Sequence, residues 1–304
     1  TLDRSSAASD VYKRQRLGIA YEQLAEINAR LIYCAVTGYG ETGPLKDKAG
    51  YDQVLQTMTG MCALQGKAEG PPEILYGSVV DYYASSMVAA GVASALYERE
   101  RSGRGQFVGV SLLRSALALQ SARLVWAEGE PRDIGRDMRS GGITGIHPTG
   151  EGYLYISANT PHFWQALCAK TGLPELAADD RYDSVRKRAE HRDEIVPRLH
   201  AALRARTALE WEAWFGEEVP CAAARGVEDM FDFPQVQAEN MVTTFTHPVV
   251  GSYRGFAQAI KFGRSQTEAP RAAPAFGEHS EAVLAEAGIS AERVAALRER
   301  GALG

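Results

Sequence analysis

The stretch YGSVVDYYASSMVAAGVASALYERERSG, Tyr76 to Gly103, decides the fold, because a single acid, Asp81, opens a long and almost wholly apolar helix. Met87, Val88, Ala90, Val92, Ala93, Ala95 and Leu96 fall on several sides of the helical wheel, a pattern that predicts a core helix rather than a surface one. Ser78, three residues before Asp81, has the form of a capping box. Glu98, Arg99, Glu100 and Arg101 mark the emergence of the helix into water, and Gly103 is a natural left-handed stop. Two roles are open to Asp81 at this level. First-turn carboxylates are common as caps. A carboxylate held ionised by the helix end, with Gly77 leaving the backbone open beside it, is also a candidate nucleophile.

Working outward, the composition sets the class. With 304 residues, 45% hydrophobic and 23% charged, the chain can bury a sizeable core and is long enough for two domains. A formal charge of −5, with no block of like charges, gives no general attraction to nucleic acid or to an anionic membrane. No apolar run was expected to reach the length of a membrane span. The four cysteines, Cys34, Cys62, Cys168 and Cys221, form no C-x-x-C, which argues for free thiols in a reducing, cytoplasmic setting. The six histidines are scattered through the chain, with no ligand-type spacing and no G-x-S-x-G around any serine, so neither a metal nor a serine nucleophile is expected.

Before the central helix, residues 1–15 read as a non-native leader and are set apart from the fold. Leu31 to Val36 forms a compact apolar strand. It runs into a glycine loop, Gly38, Tyr39, Gly40 and Gly43-Pro44, at the strand end where open α/β sheets bind ligands. Gly50 to Met61 is a short amphipathic helix entered through Tyr51 and Asp52. Gly105 to Val110 is a second strand, and a further apolar helix follows from Ser111. Helix, strand and helix in this order predict α/β layering.

At Gly129 the composition turns to glycine and charge, and a boundary or functional loop is placed there, with Ser140, Gly141, Gly142 and Gly145 able to close over a ligand. A smaller α+β unit follows. Thr207 to Glu210 is a second capping box, Trp211, Trp214 and Phe215 read as core anchors, and Arg186, Lys187, Arg188 and Arg192 read as a solvated face. Met241 to Gly263 has the pattern of an antiparallel β section. A proline-rich strip over 266–276 leads to two short helices that must dock on something.

Several stretches together resemble the class III (CaiB/BaiF-type) coenzyme A transferases. They are TGYGETGP at Thr37, GYDQVLQ at Gly50, GSVVDYYAS at Gly77, ALYERERSGRGQFVGVSLL at Ala95, GIHPTGEGYLYIS at Gly145, HPVVG at His247 and FGEHSEAVLAEAG at Phe276. The resemblance implies a Rossmann-like large domain over 16–128, lacking its N-terminal part, and a linker loop with a small α+β domain over 129–265. It further implies that 266–304 returns to the large domain, and that two subunits interlock as a homodimer.

By the same resemblance Asp81 matches the catalytic aspartate. It attacks an acyl-CoA thioester to give a mixed anhydride, then an aspartyl-CoA thioester from which a carboxylic acid takes the CoA. Gly38, Tyr39, Gly40, Lys48 (or Lys46), Tyr51, Gly77, Gly141 and Gly142 are then the expected CoA or substrate contacts, with Met61, Tyr82, Tyr83 and Ile146 around the acyl group. The substrates are acyl-CoA and a free carboxylic acid, with no metal, nucleic acid or membrane. Two other readings are a 2-methylacyl-CoA racemase and a catalytically silent CoA-binding subunit. Related racemases carry histidine where Tyr51 stands, and tyrosine, with an ordinary pKa near ~10, exchanges an α-proton poorly at neutral pH.

Overall fold

In the computed structural model, residues 14–65, 71–121, 127–129, 142–265 and 271–303 are described. Most of the leader, Ser140 and Gly141 of the glycine loop, residues 122–126 of the helix expected over Ser111 to Glu128, and 266–270 of the proline-rich strip lie outside them; 127–129 are described and are not helical. The fold is mixed α/β, and the chain divides into two compact units, 1–136 and 137–304.

In the first unit, helix α1 (Tyr21–Ile27) precedes strand β1 (Tyr33–Thr37), and the chain then passes through helix α2 (Asp52–Met58) and the long helix α3 (Val79–Ser102) to strand β2 (Phe107–Ser111) and helix α4 (Leu112–Leu119). The two strands pair in parallel, Tyr33 opposite Phe107 and Thr37 opposite Ser111. A parallel pair requires a crossover, and α2 and α3 supply it. Helix α3 approaches the ribbon closely: a Cβ on Gly91 would lie 2.9 Å from Val108 Cγ1. On the other face, Tyr21 packs its ring against Tyr33 and Phe107. The core of this unit gathers Tyr39, Leu55, Met61, Val80, Ala84, Leu112 and Ala116.

Helix α3 departs from expectation. Val80, Ala84 and Ala95 are buried, whereas Tyr82 and Tyr97 stand 66% and 62% exposed. It is not a helix packed on all sides, because the elements described around it, α2, α4, β1 and β2, cover only part of its surface. Its 24 residues also correct the expectation about apolar runs. By length and composition α3 could cross a membrane, a test that a core helix of a soluble protein passes equally. Gly103 ends it in the left-handed conformation, φ 74°, as its sequence predicts.

The second unit is built on a three-stranded antiparallel sheet, β3 (Gly145–Pro148), β4 (Tyr153–Ile156) and β5 (Cys221–Ala223), in the order β3-β4-β5. Strand β4 alternates as a half-buried strand should, with Leu154 and Ile156 inward and Tyr153 and Tyr155 outward. Behind it pack α5 (Pro161–Lys170), α6 (Pro174–Ala178), α7 (Val185–Glu190), α8 (Arg192–Leu203) and α9 (Ala208–Phe215), around a core that includes Trp164, Leu167, Ile195, Leu203, Trp211 and Phe215. Trp211 and Phe215 anchor this core as predicted, but Trp214 is 48% exposed. The capping box of α9 forms, with Thr207 and Glu210 answering each other's amides.

After α10 (Pro234–Ala238) the hairpin β6 (Val242–His247) and β7 (Gly251–Phe256) pairs Val242 with Phe256 and His247 with Gly251. Helices α11 (Ser280–Glu286) and α12 (Ala291–Glu299) pack on each other.

Arg188 corrects the expectation of a solvated basic face. It is 1% exposed, donates to the carbonyls of Tyr182 at 3.0 Å and Asn159 at 3.1 Å, and lies over the Trp164 ring at 4.9 Å. The planar guanidinium can serve two carbonyls and an aromatic face at once. The alternation of charge around it is that of a surface segment, and the pattern hides the one arginine that turns inward. Burial lowers its pKa below the ordinary value. Arg188→Met should leave both carbonyls unpaired and cost about 3 kcal/mol, read as a lower urea midpoint. An unchanged midpoint would show that the bonds carry no net stability.

Candidate active site

The geometry around Asp81 is set by a residue from another helix. Helix α3 starts at Val79, and its N-cap, Ser78, makes no side-chain bond, so the capping box expected between Ser78 and Asp81 does not form. Asp52, the first residue of α2 and 3% exposed, takes that place. Its Oδ2 accepts the amide of Val80 at 2.7 Å and that of Asp81 at 3.0 Å. Its Oδ1 accepts Gln56 Nε2, and Gln56, itself fully buried, accepts the amide of Leu75 at 2.9 Å through Oε1. Gln56 Nε2 also reaches the carbonyl of Gly77 at 3.4 Å. The turn that leads into α3 is thereby held from α2 by two side chains one helical turn apart.

The carboxylate of Asp81 is left half-buried, with no hydrogen-bond or ion-pair partner among the described residues. Its pKa is raised above the ordinary carboxylate value, first by burial and then by the negative charge of Asp52. The expected lowering by the helix end is therefore outweighed, and the direction of the shift is upward. Desolvation and a like charge both favour the protonated form. Gly77, at φ 82°, holds a conformation that side chains rarely adopt.

Gly38 and Gly50 bring the two neighbouring loops together. A Cβ on Gly38 would lie 2.6 Å from Gly50 Cα, and one on Gly50 would lie 2.4 Å from Gly38 Cα. The loop after β1 is further tied to the start of α4 by the Leu113 amide on the Gly38 carbonyl at 2.9 Å. Tyr39 is buried, and its hydroxyl has no partner among the described residues. It lines a cavity of about 330 Å³ with Thr37, Gly40, Glu41, Thr42, Ser111 and Arg114, at the ends of β1 and β2 where the sequence placed a ligand crevice. Glu41 at its rim pairs with Arg14 at 2.7 Å.

The predicted contacts therefore fall into groups. Gly38, Tyr51 and Gly77 gather around the entry to α3, together with Gly50 and Asp52, which the sequence did not single out as contacts. Tyr39 and Gly40 face the cavity. Tyr51 is 64% exposed at the N-cap of α2, and Lys48 is exposed and lines no part of the cavity. Met61 is buried in the first unit's core, while Tyr82 is exposed on α3. Gly142 and Ile146 belong to the second unit. Among the described residues no group of three or more histidine, cysteine or acidic side chains could hold a metal. Burial pushes the Cys168 thiol up to about 12 and Cys221 to about 11, which suits neither as a nucleophile.

A family model described as CoA-transferase family III matches residues 7–280. The chain belongs to CoA-transferase family III. Its relatives include an acyl-CoA transferase of Fusarium pseudograminearum, 31% identical, with 94% of this chain and 64% of the relative covered. An acetyl-CoA:oxalate CoA-transferase of Acetobacter aceti is 35% identical over 75% of this chain and 60% of the relative. A succinyl-CoA:glutarate CoA-transferase of Mus musculus is 29% identical over 90% and 64%. The chain thus spans under two thirds of the length of these curated relatives.

Among solved structures, Rv3272 from Mycobacterium tuberculosis matches this family III chain with a TM-score of 0.75 at 26% identity, covering 88% of this chain and 73% of that one. A CAIB/BAIF family protein from Brucella suis gives 0.75 at 26% identity, covering 90% and 72%. The family model begins inside the stretch that the sequence reading set apart as a leader, at residue 7.

The second unit of this family III chain holds a pair that sequence spacing could not show. His147, 1% exposed, has Nε2 3.0 Å from the Ile143 carbonyl and Nδ1 3.1 Å from Nε2 of His200. A carbonyl only accepts, so His147 Nε2 carries the proton; with both rings neutral, its Nδ1 accepts from His200 Nε2. Burial lowers both pKa values below the ordinary 6.5, with the Arg204 charge adding to the effect on His200.

Unfolded, these rings take up protons near pH 6.5; folded, they do so only at lower pH. The folded chain binds fewer protons between those points, so stability is full above pH 6.5 and falls as pH drops through that interval. The thermal midpoint of the chain should fall on acidification below pH 6.5, and His200→Gln should flatten that slope. A variant with the wild-type slope would remove the pair as its cause.

Proposed function

We propose that this chain carries the nucleophile of an acyl-CoA:carboxylate CoA-transferase, with Asp81 forming the covalent intermediates. The observation that carries this reading is the state of Asp81: a half-buried carboxylate at a helix start, unpartnered among the described residues, beside an amide network already occupied by Asp52. The ordinary roles of such a residue, capping and ion pairing, are not in use.

Asp81 attacks the thioester carbonyl of the acyl-CoA, the C–S bond breaks, and CoA thiolate leaves a mixed anhydride. The thiolate then attacks the Asp81 carbonyl, releasing the donor carboxylate and forming aspartyl-CoA thioester. The acceptor carboxylate attacks that carbonyl and expels CoA thiolate, giving a second anhydride. Attack of the thiolate on the acceptor's acyl carbon yields the new acyl-CoA and restores Asp81. Covalent catalysis divides a hard exchange between weak nucleophiles into four acyl transfers.

A raised pKa gives the ionised carboxylate more basicity and nucleophilicity than an ordinary aspartate. The amides of Ser78 and Val79 have no acceptor among the described residues and are the donors this reading assigns to the oxyanions. The cavity beside Tyr39 and Arg114 offers the polar surface for part of the CoA. A Rossmann-like large domain, an interlocked homodimer and a cytoplasmic setting belong to the same reading.

The named activities of the relatives, on succinyl-CoA with glutarate and acetyl-CoA with oxalate, set the test. The chain is incubated with succinyl- or acetyl-CoA and each acid, exchange is followed by chromatography, and intact mass is measured before turnover completes. A CoA adduct on Asp81, converted to the hydroxamate by hydroxylamine, is expected. Exchange without any adduct at Asp81 would overturn the mechanism.

A further inference from the structure

Asp52 lies 28 positions from the amide of Val80 in sequence, yet its carboxylate closes the N-terminus of α3. Asp81 stands at the third residue of that helix, the position from which an acidic side chain ordinarily folds back to answer its own helix start. Here that end is already served. Asp52 Oδ2 takes the amides of Val80 and Asp81, Oδ1 is held by Gln56, and Gln56 fixes the turn at Leu75 and Gly77. Asp52 and Gln56 are 3% and 0% exposed, so water does not compete for these bonds.

We propose that Asp52 is a positioning residue of the active site: it caps α3 in place of Asp81 and so keeps the Asp81 carboxylate out of its own helix end and free to react. Asp52 touches the Asp81 amide and not its carboxylate, and it acts through the helix rather than on the substrate. Its second effect is electrostatic. Of the charged groups among the described residues, Asp52 is the one whose charge acts on Asp81. Arg114, on the packed helix α4, faces the Tyr39 cavity.

This inference rests on the reading of Asp81 as the nucleophile, but part of its test does not. The Asp81 carboxyl is followed by carbon-13 NMR titration in the wild-type chain and in Asp52→Asn, which keeps the shape and one acceptor oxygen while removing the charge. Wild-type Asp81 should titrate above 3.8, the ordinary value, and Asp52→Asn should bring it back toward that value. A wild-type Asp81 that titrates at or below 3.8 overturns the proposal without any variant being needed, and so does a titration unmoved in folded Asp52→Asn.

In exchange assays, Asp52→Asn should move the acid limb of the pH profile downward, and Asp52→Ala should lower kcat on the order of tenfold to hundredfold with little change in KM for acyl-CoA. A neutral cap, Ser78→Asn in the Asp52→Ala background, should recover helix stability and part of kcat while leaving the acid limb where Asp52→Asn puts it. Stability recovered with no gain in kcat would overturn the positioning role and leave Asp52 a structural cap alone. Should the wild type exchange no CoA at all, the functional reading fails while the titration still decides the role of Asp52.

Discussion

Asp81→Ala should lower CoA exchange about a thousandfold or more while leaving the urea midpoint nearly unchanged. The two halves of that result have separate causes. A carboxylate that forms the covalent intermediates cannot be replaced by a neighbour, so activity and the trapped CoA adduct disappear together. Stability survives because the Asp81 side chain bonds to nothing among the described residues, while the cap of α3 belongs to Asp52 and involves only the Asp81 amide, which alanine retains. Alanine is also the best helix former. A residue conceived only as a cap predicts the opposite outcome, lost stability with retained exchange. Full activity in Asp81→Ala would remove this residue from the chemistry.

Gly50→Ala should lower stability severely. The added Cβ would sit 2.4 Å from Gly38 Cα and 3.2 Å from the Gly38 carbonyl carbon. Both are backbone atoms, so no rotamer change can relieve the contact, and overpacking of this kind costs about 3 kcal/mol or more. That is a large part of the stability of an ordinary domain, about 5–15 kcal/mol. The damage should reach activity as well. Gly50 lies two residues before Asp52, and moving the loop shifts the carboxylate that closes α3. Gly38→Ala, approaching from the other side at 2.6 Å, should behave alike. A wild-type urea midpoint in either variant would mean that the two loops can separate at little cost.

The readings that held share a property: their signals are local. Strands β1, β2 and β4 were legible as apolar runs or alternation, the Thr207 and Glu210 box as a four-residue pattern, and the stop at Gly103 as a glycine after a charged last turn. Asp81 stood out because it is a lone acid opening an apolar helix. Its partnerless state could not be foreseen, because the local pattern offered Ser78 as its capping partner and the true cap comes from another helix. Arg188 was misread for a related reason. Its neighbours are alternating charges, and only the packing of α7 against the Trp164 side of the sheet turns this one arginine inward. The exposure of Tyr82 and Tyr97 on α3 was equally out of reach, since the wheel shows which side chains are apolar and not which of them meet a neighbour.

By itself the sequence determined strands β1, β2 and β4, the start and stop of the central helix, the family motifs, and the acid on which the chemistry is proposed to turn, because propensity, capping and periodicity act within a few residues of each other. The tertiary structure alone decided which acid caps the central helix and which is left free, which arginine is buried, and that His147 meets His200 across 53 positions. Those contacts depend on side chains brought together by the path of the chain, where burial and a neighbouring charge set the state of each group.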